Sequence, residues 1–128
     1  MTQIDVSVVI VCMNNIKQLQ DCLTSIIKFT TKVSYEIIVV AYFFEEKNLK
    51  KLRANYPNVK VIISNEIRGF SANNNLGLKV AKGKYCFVLN DDTYFDTPVL
   101  DKLCKVLDKH NEISLLSPQI LRPDRTIQ

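Results

Sequence analysis

Residues 6–11 are apolar at every position except Ser7. A strand with one wet face alternates apolar and polar side chains. An unbroken run belongs to a strand covered on both faces, the usual state of a parallel sheet between helices. This run therefore demands helices from the rest of the chain, and the sequence offers them. Asn14 and Asn15 suit a helix N-cap, and Ile16, Leu19, Leu23, Ile26 and Ile27 follow on one helical face. Residues 35–40 form a second run rich in β-branched side chains. Residues 45–56 read as a helix with an acidic start and a basic end, closed by Pro57. Strands are expected at 59–63, 86–89 and 113–116, and helices at 71–81, with Gly83 just beyond, and at 98–109. The order β-α-β-α-β-α-β-α-β gives an α/β fold: a Rossmann-like open, mainly parallel sheet with helices on both faces.

The 128 residues suit one domain, and 47% hydrophobic content is enough for a real core. Nothing reads as a linker, repeat or low-complexity stretch. The tail, 121–128, resembles an unfinished hairpin, so the architecture is expected to continue beyond residue 128. A net charge of +4 is compatible with anionic ligands but does not call for nucleic acid. The four cysteines, Cys12, Cys22, Cys86 and Cys104, form no C-x-x-C pair. With His110 as the sole histidine they do not suggest zinc, and they read as small buried hydrophobes in a reducing compartment. No apolar run approaches a membrane span, and the N-terminus lacks a signal-peptide pattern. The expectation is a cytoplasmic protein.

In open parallel sheets ligands bind beyond the carboxyl ends of the strands, where the strand order reverses. This rule selects 12–14, 41–43, 65–69 and 90–92. The segment Asn90, Asp91, Asp92, Thr93 is the sharpest signal. Two adjacent carboxylates favour a nearby cation, and oxygen-only ligands suit Mg²⁺ or Mn²⁺ bridging to substrate phosphates. The plainer alternative is a turn that caps the next helix. The second signal is the segment 68–75. Gly69 suits a tight turn before a helix, and Asn73, Asn74 and Asn75 make a costly helix opening whose amides suit a nucleoside or the acidic cluster. The helix N-terminus and Arg68 are candidates for holding an anion. The alternative is Ser71 as a simple cap with exposed asparagines. His110 near a helix end answers the dipole at most. The groups Lys47, Lys50, Lys51, Arg53 and Lys79, Lys82, Lys84 read as solvated faces, with weak attraction to an anionic membrane surface as their one candidate role.

Several of these segments, in this order, resemble family 2 glycosyltransferases. The opening strand with Asn14 and Asn15, then Leu19, Cys22, Leu23, Ser25 and Ile26, resembles the family's start. Residues 35–40 match its second strand. Residues 68–77 resemble the G-F-A-x-A-N-N-x-G segment. Gly83, Lys84 and Tyr85, then Leu89 to Thr93, resemble the strand leading into a D-x-D-type motif. Ser117 and Pro118, then 124–128, resemble the segment that follows. The rhamnosyltransferase-like subgroup is the nearest in flavour. The resemblance implies a GT-A fold, of which this chain would be the N-terminal, nucleotide-sugar-binding part. It also implies inverting transfer from a nucleotide-diphosphate sugar to a saccharide or lipid-linked acceptor, in surface polysaccharide assembly at the inner face of the cell membrane. Asp92 would take the metal, and Asn90 and Asp91 would lie near ribose and metal. Cys12, Asn14, Ala41, Tyr42, Arg68, Gly69, Asn73 and Asn74 would line the donor site. The catalytic base and acceptor region would lie beyond residue 128.

The chain departs from the family at two places. Cys12, Met13 and Asn14 stand where T-Y-N is usual, and Ala41 and Tyr42 stand where Asp-Asn is usual. An acid facing the base is thereby lost, and Tyr42, Phe43 or Phe44 offers a stacking face instead. Two other functions compete. One is a non-catalytic binding or interaction module of the same fold, favoured by Ala41. The other is a nucleotidyltransferase, which would carry a Gly-rich basic loop after the first strand. A phospho-acceptor receiver domain would want acids there, and neither feature is present.

Overall fold

A computed structural model describes residues 3–128. Eight elements alternate: β1 (Val6–Cys12), α1 (Ile16–Phe29), β2 (Tyr35–Tyr42), α2 (Glu46–Asn55), β3 (Lys60–Ser64), α3 (Phe70–Leu78), β4 (Tyr85–Asn90) and α4 (Val99–Lys109). All strand pairs are parallel, in the order β3-β2-β1-β4. The chain runs outward from β1 through β2 to β3, then returns to place β4 on the other side of β1. The strand order therefore reverses between β1 and β4.

The unbroken apolar run of β1 is explained by what covers it. Val6, Val8, Ile10 and Cys12 face Leu19, Cys22, Leu23 and Ile26 of α1, Leu49 and Leu52 of α2, and Leu100 and Cys104 of α4 in one buried cluster. On the opposite face α3 packs across β1, β2 and β3. Its approach is close because Gly77 has no side chain: a Cβ there would lie 2.5 Å from Val9 Cγ1. Helices thus flank both faces, but unevenly. The α3 layer stops short of β4, so Cys86 and Val88 are exposed on that side.

Three expectations need correction. First, residues 113–116 form no strand. They run beside the outer edge of β4 without pairing, across a cavity of ≈ 330 Å³ bounded also by Phe87, Leu103 and Leu107, and Leu115 is 92% exposed. An apolar run acquires strand structure only by pairing, and here nothing fixes its register. Second, Cys86 is not a buried hydrophobe; Cys12, Cys22 and Cys104 are. Third, α3 begins at Phe70 with Gly69 as N-cap, not at Ser71.

The tail closes on itself through one antiparallel bridge, Leu121 with Ile127, and Arg125 reaches Asp96 at 2.9 Å. Among the described residues no helix is long and apolar enough to cross a membrane.

Candidate functional site

The carboxyl ends of β1 and β4 meet at the reversal of strand order. Val11 pairs with Asn90, so the residues one step further on, Cys12 and Asp91, are neighbours. Asp91 is half-buried and turned toward the protein. Its Oδ1 accepts a hydrogen bond from Gln18 Nε2 of α1 at 3.2 Å. It also lies against the Cys12 thiol, whose pKa is driven well above the ordinary thiol range, chiefly by burial and secondly by this carboxylate. Burial likewise pushes the Cys22 thiol up to about 12. Both sulfurs are therefore protonated filler beneath the acids rather than nucleophiles.

Asp92 behaves differently. It is exposed and joins none of the ion pairs among the described residues. The turn that presents it is braced by Thr93 Oγ1, which donates to the Asn90 carbonyl at 2.8 Å, and by Phe95 N, which donates to Ser25 Oγ of α1 at 2.9 Å. One carboxylate is thus anchored and the next is free. No three acid, cysteine or histidine side chains converge as a closed metal cage among the described residues. A divalent ion carried on a diphosphate needs less than that, one or two carboxylates with phosphate and water completing the shell. Asp91 and Asp92 meet that requirement.

The ends of β2 and β3 are built otherwise. Ala41 is fully buried, its methyl in the core. Tyr42 is half-buried, and its hydroxyl accepts the Arg68 N–H at 3.3 Å, tying β2 to the loop before α3. Arg68 donates from Nη1 to Ser64 Oγ at 3.2 Å and pairs through Nη2 with Glu66 at 2.6 Å. Asn73 is 2% exposed; its Oδ1 accepts from Ser64 Oγ at 2.8 Å and its Nδ2 donates to the Arg68 carbonyl. Asn74 is also buried and donates to the Phe70 carbonyl, while its Oδ1 has no partner among the described residues. Asn73, Asn74 and Gly77 share the inner side of α3, and of its three asparagines Asn75 alone is exposed. In this conformation Asn73 holds the loop together rather than offering its amide outward. Gly69 has an ordinary φ of −73° and no atom within 4 Å of a notional Cβ, so the turn does not require glycine.

Asn14 too is engaged. It adopts a positive φ of 56°, and its Oδ1 accepts from Glu45 N and Asn48 Nδ2, each at 2.9 Å. It caps α2 from across the sheet edge, which Glu45 does not do with its own side chain. Phe43 is the second residue at this edge with positive φ, 48°, an unfavourable state for a bulky side chain. Its ring lies 4.7 Å from that of Tyr42 and is 40% exposed, whereas Phe44 is buried. The sequence reading missed Gln18. The signal was available: Asn15 and Gln18 stand at the spacing of a capping box.

The fold and site define a GT-A-like domain: a parallel sheet flanked by helices with an acidic strand end at its switch point. The sequence matches Glycosyl transferase family 2 over residues 7–125, and the chain belongs to that family. Membership displaces the nucleotidyltransferase alternative. The uncharacterized glycosyltransferase YwdF of Bacillus subtilis (strain 168) is 30% identical over 118 residues, a match covering 88% of this chain and 43% of that protein. Among solved structures, S. aureus TarS in complex with UDP-GlcNAc superposes with a TM-score of 0.68 at 21% identity, covering 84% of this chain and 32% of that one. The mannosyltransferase PcManGT from Pyrobaculum calidifontis, in complex with GDP-Man and Mn²⁺, superposes with a TM-score of 0.66 at 15% identity, covering 97% and 37%. The chain thus spans less than half the length of each of these relatives.

Proposed function

We propose that this domain binds a nucleotide-diphosphate sugar across the carboxyl ends of the sheet. The diphosphate lies at the β1–β4 crevice, and Mg²⁺ or Mn²⁺ is held by Asp92 with Asp91 beside it. The base lies toward the ends of β2 and β3. The observation that carries this reading is the pairing of an anchored Asp91 with an exposed Asp92 that has no ion-pair partner among the described residues, at the switch point. The complexes of TarS with UDP-GlcNAc and of PcManGT with GDP-Man and Mn²⁺ support it.

A divalent ion at Asp92 supplies charge neutralisation for the leaving diphosphate. The chain's own residues orient the donor: Asn90 and Asp91 toward ribose, Arg68 toward phosphate once it exchanges Glu66 for the ligand, and Tyr42 with Phe43 as an aromatic face for the base in place of an acid. In the fuller reading the transfer is inverting and of a hexosyl or deoxyhexosyl group, in keeping with a rhamnosyltransferase-like relative. The acceptor is a saccharide or a lipid-linked saccharide, and the setting is polysaccharide assembly in the cytoplasm, at the inner face of the membrane. No residue of this chain is given the role of catalytic base. A binding-only module remains the second reading, favoured by the buried Ala41 and the internally bonded Asn73.

Calorimetric titration with UDP-, GDP- and dTDP-sugars, with and without Mn²⁺, tests the donor site. One of the three should bind, more tightly with metal, and Asp92→Ala should remove the metal dependence. A folded domain that binds none of them contradicts the proposal. A longer chain that binds donor but transfers nothing selects the second reading.

A further inference from the structure

Gln18 sits in the first turn of α1, half-buried, and the family motif does not account for it. Its side chain joins two elements. Nε2 donates to Asp91 Oδ1 at 3.2 Å, and Oε1 accepts from Asn15 Nδ2 at 3.2 Å. The Gln18 backbone N–H donates to Asn15 Oδ1 at 3.3 Å, so Asn15 caps α1 with its oxygen and is left to offer its NH₂ group. The order is therefore directed, from Asn15 through Gln18 to Asp91. A carboxylate only accepts, and the Asn15 amide presents only a donor to the Gln18 side chain. Turning the Gln18 amide over would set oxygen against oxygen at one end and NH₂ against NH₂ at the other. The bond that reaches Asp91 is charge-assisted and among the stronger kinds.

We propose that Gln18 is a positioning residue for the acidic cluster. It fixes Asp91 through one carboxylate oxygen and leaves the second oxygen and Asp92 for the metal–diphosphate. The inference rests on the donor-site reading above. It is separable from helix capping, because the cap bond uses the Gln18 backbone N–H, which Gln18→Met retains.

The test is calorimetric titration of the full 128-residue chain with UDP and GDP, in Mn²⁺ and in chelator, alongside thermal unfolding. Gln18→Met keeps length and helix propensity but donates nothing. It should unfold like the unaltered chain, bind the nucleotide equally in chelator, and lose about tenfold of its affinity in Mn²⁺, the scale of outer-shell partners of a metal site. Asn15→Asp keeps a good N-cap but replaces the donor facing Gln18 by an acceptor, and it should show the same selective loss. The double variant should lose no more than either single one, since both break the same relay. Either variant alone is sufficient if the other fails to fold. The inference is overturned if both folded variants keep the full metal effect, or if affinity falls equally with and without Mn²⁺. If the unaltered chain binds neither nucleotide in a metal-dependent way, the donor-site reading falls and this inference with it.

Discussion

The carboxyl edge of the sheet has two halves of unlike construction. At the β3–β2 end the polar side chains satisfy one another: Tyr42 holds the Arg68 backbone, Arg68 and Asn73 both reach Ser64, and Glu66 neutralises the guanidinium. At the β1–β4 end one acid is anchored and the next is left open. Buried polar groups must find partners or impose a cost. A closed network is complete without a ligand, whereas an exposed acid left unpaired beside an anchored one costs little and remains available. The family's acidic motif is kept at the open end, although Cys12 and Met13 depart from T-Y-N beside it, and the Asp-Asn usual after β2 is lost at the closed end.

Asp92→Ala should weaken metal-dependent donor binding by more than the roughly 10–100-fold attached to outer-shell partners, with thermal stability unchanged; calorimetry and a melting curve read both. Asn73→Ala should do the reverse. Losing a buried amide that bonds to Ser64 and Arg68 should cost about 2 kcal/mol of stability by denaturant titration, and the ratio of affinities with and without Mn²⁺ should not move. Gly77→Ala should cost about 1–3 kcal/mol because its Cβ would strike Val9, whereas Gly69→Ala should stay within about 0.5 kcal/mol.

Phe43→Gly relieves the positive φ and so should leave the domain at least as stable. If its ring is the base platform, donor affinity should fall about tenfold, to the same extent in Mn²⁺ and in chelator, the scale of one aromatic–base stack. Equal stability with unchanged affinity would remove Phe43 from the site.

The smallest effects concern the thiols. Cys86 should react with an aromatic disulfide reagent at pH 8 while Cys12, Cys22 and Cys104 wait for unfolding. Burial raises Cys22 to about 12 and Cys104 to about 11, while unfolded thiols ionise near about 8.5. The unfolded chain therefore sheds these protons first, so the stabilisation is complete below that pH and declines as pH rises toward 11–12. A flat stability profile between pH 9 and 11 would contradict the burial of these two residues.

The strands of the sheet centre were legible because a run such as 6–11 has one structural use. The segment 113–116 has the same apolar character but no register to join, and periodicity cannot reveal whether an edge is taken. The acidic strand end was legible from position alone. The direction of the asparagines was not: the face of α3 that packs on β1 and β2 is the one carrying Gly77, which meets Val9, and Asn73 and Asn74 turn inward with it. Gln18 was written in the sequence as half of a capping box, yet its bond to Asp91 joins residues 73 apart and only folding brings them together.

The proposed donor site requires metal and diphosphate to meet at the β1–β4 crevice. Amide spectra of the ¹⁵N-labelled chain with UDP or GDP and sub-stoichiometric Mn²⁺ test this directly, because the ion broadens signals by proximity. Broadening should centre on Asn90, Asp91, Asp92 and Thr93, extend to Asn14 and Asn15, spare Asn58 and Asp108 at the opposite end of the sheet, and disappear in Asp92→Ala. Broadening centred elsewhere, or unchanged by Asp92→Ala, would contradict the account.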